Sequence, residues 1–216
     1  MTQIFRPYAD TVVRVVLVAI LVVPFFAIGI GYWTMRSEYI TDENITLEQP
    51  VPFSHEHHVS GLGIDCRYCH SGVEQSTVAG VPPTHTCMTC HTQLYTQAKM
   101  LEPVRRSLAE NKPIQWNKVN RLPDYAYFDH SIHIAKGVGC TTCHGQVAEM
   151  PLTWKANTLY MEWCLDCHRA PEKYVRPKSE VFDPGYVTPA NQLELGARLV
   201  KEYKIHSLTN CSTCHR

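Results

Sequence analysis

The sequence predicts a mainly helical, loop-rich chain. One N-terminal helix crosses a membrane, and side chains alone do not build the core of the long remainder. Three observations carry this prediction. Ten cysteines fall into five Cys-x-x-Cys pairs, each followed at once by histidine. Residues 15–33, VVLVAILVVPFFAIGIGYW, run nineteen positions without a charge. A Phe-x-His-x-x-His segment occurs twice, each time followed by two of the cysteine motifs.

The cysteine pairs are Cys66/Cys69, Cys87/Cys90, Cys140/Cys143, Cys164/Cys167 and Cys211/Cys214, with His70, His91, His144, His168 and His215 directly after them. A disulfide framework does not require a histidine beside each pair, and a redox dithiol explains one pair, not five. Structural zinc uses Cys-x-x-Cys but likewise leaves the next residue free. Cys-x-x-Cys-His is the attachment sequence of c-type haem, in which two thiols become thioethers and the histidine ligates the iron. The expected cofactors are therefore five covalently bound haem c groups. The fold class follows: a multihaem cytochrome c domain of helices and loops around a haem-filled core. The formal net charge of zero gives no electrostatic reason to expect nucleic acid as a partner.

Taken in order, residues 1–14 are a cytoplasmic N-terminus and 15–33 a transmembrane anchor long enough to span the hydrocarbon core. Pro24 lies mid-span and predicts a kink, which membrane helices tolerate. Tyr32 and Trp33 suit the far interface. Arg6 and Arg14 before the span and Arg36 after it favour a cytoplasmic N-terminus only weakly. Haem c attachment in bacteria takes place outside the cytoplasmic membrane, which places the haem domain on the periplasmic side of a single-pass protein.

Residues 34–52 are polar and Pro-tipped and read as a linker. The periplasmic domain, 53–216, contains two di-haem modules, 53–91 and 128–168, and a fifth haem at 211–215. The two cysteine motifs begin 21 residues apart in the first module and 24 in the second. Between the modules, 92–127 predicts two short helices broken near Pro103 and then an extended stretch. A Pro-rich loop covers 171–189. Residues 190–204 form a helix with Leu195, Leu199 and Tyr203 at helical spacing.

Each iron has a second axial position. The histidines outside the motifs are His55, His57, His58, His85, His130, His133 and His206. Residues three apart share a helix face, so two such histidines cannot straddle one haem. His55 and His58 are expected to serve two different irons, and His130 and His133 two more. His57 breaks the repeat, and His85 lies too close to Cys87 to reach an open face; neither is expected to ligate. The fifth distal ligand is then Met161 or Met150, with His206 as the fallback; Met88 lies inside a motif and is excluded. Methionine ligation raises a haem's potential.

The order of FSHEHH, DCRYCH, TCMTCH, PIQWNKVNRLPDYAYFDHSIH, GVGCTTCHGQ, MEWCLDCHR and terminal CSTCHR resembles the pentahaem cytochrome c subunit of bacterial alternative complex III, the quinol:electron-acceptor oxidoreductase. The resemblance covers nearly the whole chain. It implies a membrane-anchored electron carrier, not an enzyme on its own. The implied partners are an iron–sulfur/molybdopterin-like subunit, polytopic quinol-binding subunits, a monohaem cytochrome c, the lipid bilayer, and a soluble electron acceptor or terminal oxidase. It also implies four bis-histidine haems and one histidine/methionine haem. Two other functions compete: a stand-alone membrane-anchored multihaem quinol dehydrogenase, and a multihaem reductase with an open iron.

Overall fold

The computed structural model describes residues 5–215. The first four residues of the expected 1–14 segment, and Arg216 at the end of the 53–216 domain, lie outside the described residues. The chain divides into two compact units, Met1–Glu43 and Asn44–Arg216. The described residues contain helices and no strand, with isolated antiparallel bridges at Thr46–Trp154, Ala126–His215 and Val138–Val175.

The first unit contains α1 (Ala9–Met35) and the short α2 (Glu38–Thr41). The 27 residues of α1 extend about 40 Å at 1.5 Å per residue. The helix is longer than the apolar run at 15–33 because Asp10 and Arg14 pair one turn apart at 2.8 Å and continue it. It also continues through Pro24, and none of its residues is buried. At its far end the Arg36 guanidinium stands 4.0 Å from the centre of the Tyr32 ring. It is the one described helix long and apolar enough to cross a membrane.

The stretch expected as a linker, 34–52, is structured. Its first two residues complete α1, and α2 ends at Asp42 in a left-handed conformation, φ 58°. From Asn44 onward its polar groups are tied to distant chain. The Asn44 N–H donates to the Lys155 carbonyl at 2.8 Å. Gln49 and Asn117 exchange two bonds, at 2.8 and 3.0 Å.

In the second unit a π-helical turn (Glu56–Gly61) precedes α3 (Cys66–Cys69) and α4 (Thr84–His91). Next is α5 (Glu102–Glu110), preceded by a 3-10 turn at Lys99–Leu101. Pro103 opens this helix instead of breaking it, because a first-turn residue needs no N–H partner. The second module contains α6 (His130–Ala135), α7 (Cys140–His144) and α8 (Met161–Arg169). The predicted 190–204 helix is α9 (Gln192–Glu202), and α10 (Cys211–Cys214) closes the chain.

Helix α9 packs on the turn Pro171–Lys173. Gly196 makes the contact possible, since a Cβ there would overlap the Glu172 carbonyl oxygen. The Gln192 amide fastens the same junction through the carbonyls of Glu172 and Val175, at 3.0 and 2.8 Å. Gly196→Ala is expected to cost about 1–3 kcal/mol by overpacking, read as a lower melting temperature with unchanged haem content. An unchanged melting temperature would show that α9 is not rigidly docked.

The buried apolar residues described in this unit are Val51, Val73, Val104, Ala148, Met150, Val175, Val181 and Leu199. Val73 follows the first motif closely, and Ala148 and Met150 follow the third. The motifs are distributed through the unit, so the helices serve chiefly to present cysteine and histidine side chains.

Candidate haem-ligating site

Each cysteine pair occupies a helical turn: α3, the body of α4, α7, the body of α8, and α10. Residues i and i+3 of a helix lie on one face, so both sulfurs point the same way and the following histidine stands beside them. Local chemistry sets these turns. The Asp65 side chain caps α3 by accepting from the Arg67 N–H at 2.8 Å. Gly145 ends α7 with φ 64°, where a Cβ would lie 2.7 Å from the Ala156 methyl.

The ten cysteines differ in exposure. Cys66, Cys69, Cys87, Cys140, Cys143, Cys164, Cys167 and Cys214 are half-buried, whereas Cys90 and Cys211 are exposed. Helix α4 is covered on one side by α5, with the Thr84 hydroxyl bonded to that of Ser107 at 2.6 Å. Thr89 and Cys90 are exposed, and the Thr89 hydroxyl lies 3.9 Å from the Cys90 sulfur. Cys211 is the first residue of α10 and is exposed. A thioether tolerates such exposure, because attachment to haem requires access to the thiol and not its burial.

The two Phe-x-His-x-x-His segments have nearly the same geometry. The Phe53 ring meets His55 edge-on at 4.9 Å and stacks on His58 at 4.5 Å. The Phe128 ring meets His130 edge-on at 4.8 Å and stacks on His133 at 4.5 Å. In each segment the second histidine donates from Nδ1 to the carbonyl four residues back: His58 to Ser54 at 2.8 Å, His133 to Asp129 at 2.7 Å. The first histidine is held from elsewhere. His130 donates from Nδ1 to the Thr77 carbonyl at 2.8 Å, and His55 Nδ1 bonds the Thr153 hydroxyl at 3.0 Å. Among the motif histidines, Nδ1 of His70, His91 and His215 meets the carbonyls of Gly80, Leu94 and Tyr125 at 2.7, 3.2 and 3.2 Å. A carbonyl partner puts the proton on Nδ1 and leaves the Nε2 lone pair for a metal.

The imidazoles face each other in pairs. His58 and His91 have ring centres 6.2 Å apart, His130 and His144 6.4 Å, and His133 and His168 6.1 Å. Two imidazoles on opposite sides of one metal, each bonded through nitrogen at about 2 Å, bring their ring centres to roughly 6 Å. The residues present therefore fit the haem iron that the motifs imply. His55 lies near enough to His70 for the charge on that imidazole to bear on it.

Burial favours the uncharged form of His55, His133 and His144. His55 is lowered to about 4, first by desolvation and then by the neighbouring His70, His58 and His144. His144 is lowered to about 4 by desolvation, then by His130 and His70. Desolvation also lowers His133, partly offset by its bond to Asp129. Neutral imidazole is the form that ligates iron. Desolvation pushes the thiols of Cys143 and Cys167 up, to about 12 and about 11. Cys140 is raised by its thiol contact with Cys66 and by burial.

His57, His85 and His206 are exposed, and none shows an Nδ1–carbonyl bond among the described residues. The two methionines differ sharply. Met150 is 1% exposed, with its backbone carbonyl accepting from the Glu56 N–H at 3.1 Å. Met161 is 61% exposed at the start of α8.

Sequence reasoning missed Thr77 and Thr153, which lie in loops with no motif of their own. It also missed Arg176, 6% exposed, whose guanidinium donates to the Thr141 hydroxyl at 2.9 Å inside the third cysteine motif. Arg176 packs so tightly on Gly139 that a Cβ there would overlap the guanidinium.

A chain of helical Cys-x-x-Cys-His turns with opposed imidazoles defines a multihaem cytochrome c, carrying covalently bound c-type haem. Residues 34–111 match the class III cytochrome c family, and residues 126–216 match cytochrome c7 and related cytochrome c. The first match contains one module; the second contains the other module and the fifth motif. The chain is also 31% identical over 157 residues to the menaquinone reductase multihaem cytochrome c subunit of Nitratidesulfovibrio vulgaris, covering 70% of each chain. It belongs to the multihaem cytochrome c family that includes that subunit.

Proposed function

We propose that this protein is the five-haem, membrane-anchored electron-transfer subunit of a respiratory quinol:electron-acceptor oxidoreductase of the alternative complex III type. In this reading α1 anchors the chain in the bacterial cytoplasmic membrane and the second unit lies on the periplasmic side. Quinol is oxidised in polytopic partner subunits that assemble with an iron–sulfur/molybdopterin-like subunit and a monohaem cytochrome c. A periplasmic cytochrome, a copper protein or a terminal oxidase receives the electrons. Bound haem supplies one-electron carriers, five in number by the motif count.

The chain's own residues support carriage over catalysis. The observation that carries the reading is the opposition of His58, His130 and His133 to His91, His144 and His168 at iron-spanning distance. With His55 serving His70, four sites have both axial positions filled by protein and none open to a substrate. The Nδ1 bonds lock ring orientation, and the Phe53 and Phe128 rings buttress both histidines of each pair. Axial identity and hydrogen bonding are the means by which a protein sets haem potential.

Met161 is the proposed distal ligand for the site of His215. Met150 is sealed in the interior beside α7, whose histidine already faces His130. Met161 presents an exposed thioether one turn before Cys164. Met161→Leu is expected to abolish the red charge-transfer band of thioether-ligated ferric haem, whereas Met150→Leu retains it. A band that survives Met161→Leu and vanishes in Met150→Leu reverses the assignment.

The relative's name supports a second direction, with electrons flowing towards menaquinone. The test of both is purification from membranes in mild detergent. The proposed reading expects quinol to reduce the haems only when polytopic subunits co-purify. Reduction of menaquinone by the pre-reduced complex, without quinol oxidation, establishes the second direction. Quinol oxidation by the isolated chain overturns the subunit reading.

A further inference from the structure

We infer that the five cysteine motifs follow one another in space in the order second, first, third, fourth, fifth, and that the two modules meet head to head by exchanging the bonds that hold their distal ligands. This rests on the haem reading above.

The exchange is visible at both first histidines. His130 of the second module is held by the loop after the first motif: its Nδ1 donates to the Thr77 carbonyl at 2.8 Å and its backbone N–H to the same oxygen at 3.2 Å. The next residue, Ser131, donates its N–H to the Ser76 carbonyl at 3.3 Å. His55 of the first module is held in turn by the loop after the third motif. Its Nδ1 bonds the Thr153 hydroxyl at 3.0 Å, Glu56 donates its N–H to the Met150 carbonyl at 3.1 Å, and Ser60 donates its hydroxyl to the Ala148 carbonyl at 2.6 Å. Each module thus supplies to the other what it receives. Reciprocal contact between equivalent surfaces is the property of a two-fold relation, here between two halves of one chain.

The same junction brings the first and third motifs to one stretch of backbone. The Cys66 sulfur lies 3.9 Å from the Phe182 carbonyl, and the Cys140 N–H donates to the Val181 carbonyl at 3.3 Å. The second and fourth motifs then lie outward. The second is tied to the first by the Tyr68 and Thr89 hydroxyls, 2.8 Å apart inside the two motifs, and by the spacing of His55 and His58. The fourth is tied to the third by the spacing of His130 and His133 and by Asn157, whose amide donates to the Cys143 carbonyl at 2.8 Å. The fifth motif is fastened beyond the fourth. Tyr127 donates its N–H to the Cys214 carbonyl at 2.6 Å, and the neighbouring Phe128 stacks on His133, which faces His168. Ser207 adds a hydroxyl bond to the His168 carbonyl at 2.9 Å.

The first module is therefore traversed in reverse of its sequence order, and the sites of His91 and His215 are the two ends. The exposed sulfurs agree with this: Cys90 belongs to the second motif and Cys211 to the fifth, while both sulfurs of the first, third and fourth are half-buried. Thr153 is a positioning residue for a site in the other module. An Nδ1 bond increases imidazole basicity, so losing it raises the midpoint of the site it serves.

The test uses the haem-loaded full chain and spectroscopically resolved redox titration. His55→Met and His58→Met each raise the midpoint of one site, which then takes its electron earlier in the titration, and that electron's charge is felt by adjacent sites. The inferred order expects His55→Met to shift two other midpoints and His58→Met only one. The reverse result, which sequence order would give, overturns it. Thr153→Val is expected to raise the midpoint of the site of His70 and no site of its own module; an unmoved midpoint there overturns the exchange. Should a methionine variant fail to assemble, iron positions in the wild-type protein decide. The iron of 66–70 should lie between those of 87–91 and 140–144, and any other neighbour pair overturns the order. Five haems in another order leave the electron-transfer reading intact, whereas fewer than five overturn that reading itself.

Discussion

His133→Ala is expected to turn one low-spin haem high-spin and to slow electron transfer through the chain by at least about tenfold, since a one-electron step displaced by ~59 mV changes its equilibrium by that factor. The His133 ring faces His168 at 6.1 Å, is held by its own Nδ1 bond to the Asp129 carbonyl at 2.7 Å, and is stacked by Phe128 at 4.5 Å. Alanine leaves no substitute within reach. His130, the nearest candidate on α6, already faces His144 at 6.4 Å. The vacated position should admit exogenous imidazole, restoring the low-spin spectrum and part of the rate, which a merely structural defect would not allow. His58→Ala should give the same spectral change at the site of His91, with its rate effect confined to electrons that use that end. A His133→Ala spectrum indistinguishable from the wild type would remove His133 from the ligand set.

The legible parts of this protein are those whose chemistry is local. Two thioethers and an axial imidazole must come from five consecutive residues, so all five motifs stand complete in the sequence. The second histidine of each Phe-x-His-x-x-His segment is likewise local: its Nδ1 partner is the carbonyl four residues earlier. The preceding phenylalanine has a role that its spacing alone did not reveal, because one ring touches both histidines. The first histidines are different. His55 and His130 are held across 98 and 53 residues, by a hydroxyl and a main-chain carbonyl in loops without signature. No local pattern encodes that exchange, so the order of the motifs in space was hidden while their number was plain. Burial was hidden for the same reason. It separates Met150 from Met161, and it separates Cys90 from Cys87 within one motif, because cover comes from tertiary neighbours that local sequence does not name. Pro103 reads in sequence as a breaker and in the structure as a helix start, since a proline in the first turn gives up no intrahelical bond.

A chain beginning at Asn44 behind a cleavable secretion leader is expected to load its full haem complement and to partition into the soluble periplasmic fraction. The second unit begins at that residue and contains every motif cysteine and every proposed axial ligand. Helix α1 supplies none of them and has no buried residue. Its 15–33 run holds twelve Val, Leu, Ile and Phe side chains, each favouring the bilayer centre by about 0.3–0.6 kcal/mol, or ~4–7 kcal/mol together. The intact chain should accordingly resist extraction by high salt and yield to detergent, while the shortened chain should appear in the periplasm with an unaltered visible spectrum. Its haems should still accept electrons from a soluble reductant, yet receive none from quinol in washed membranes. Retention of the shortened chain on salt-washed membranes would mean that protein partners, not α1, hold it there. Loss of haem from it would mean that residues before Asn44 contribute to assembly of the second unit, an outcome that the location of all the ligands argues against.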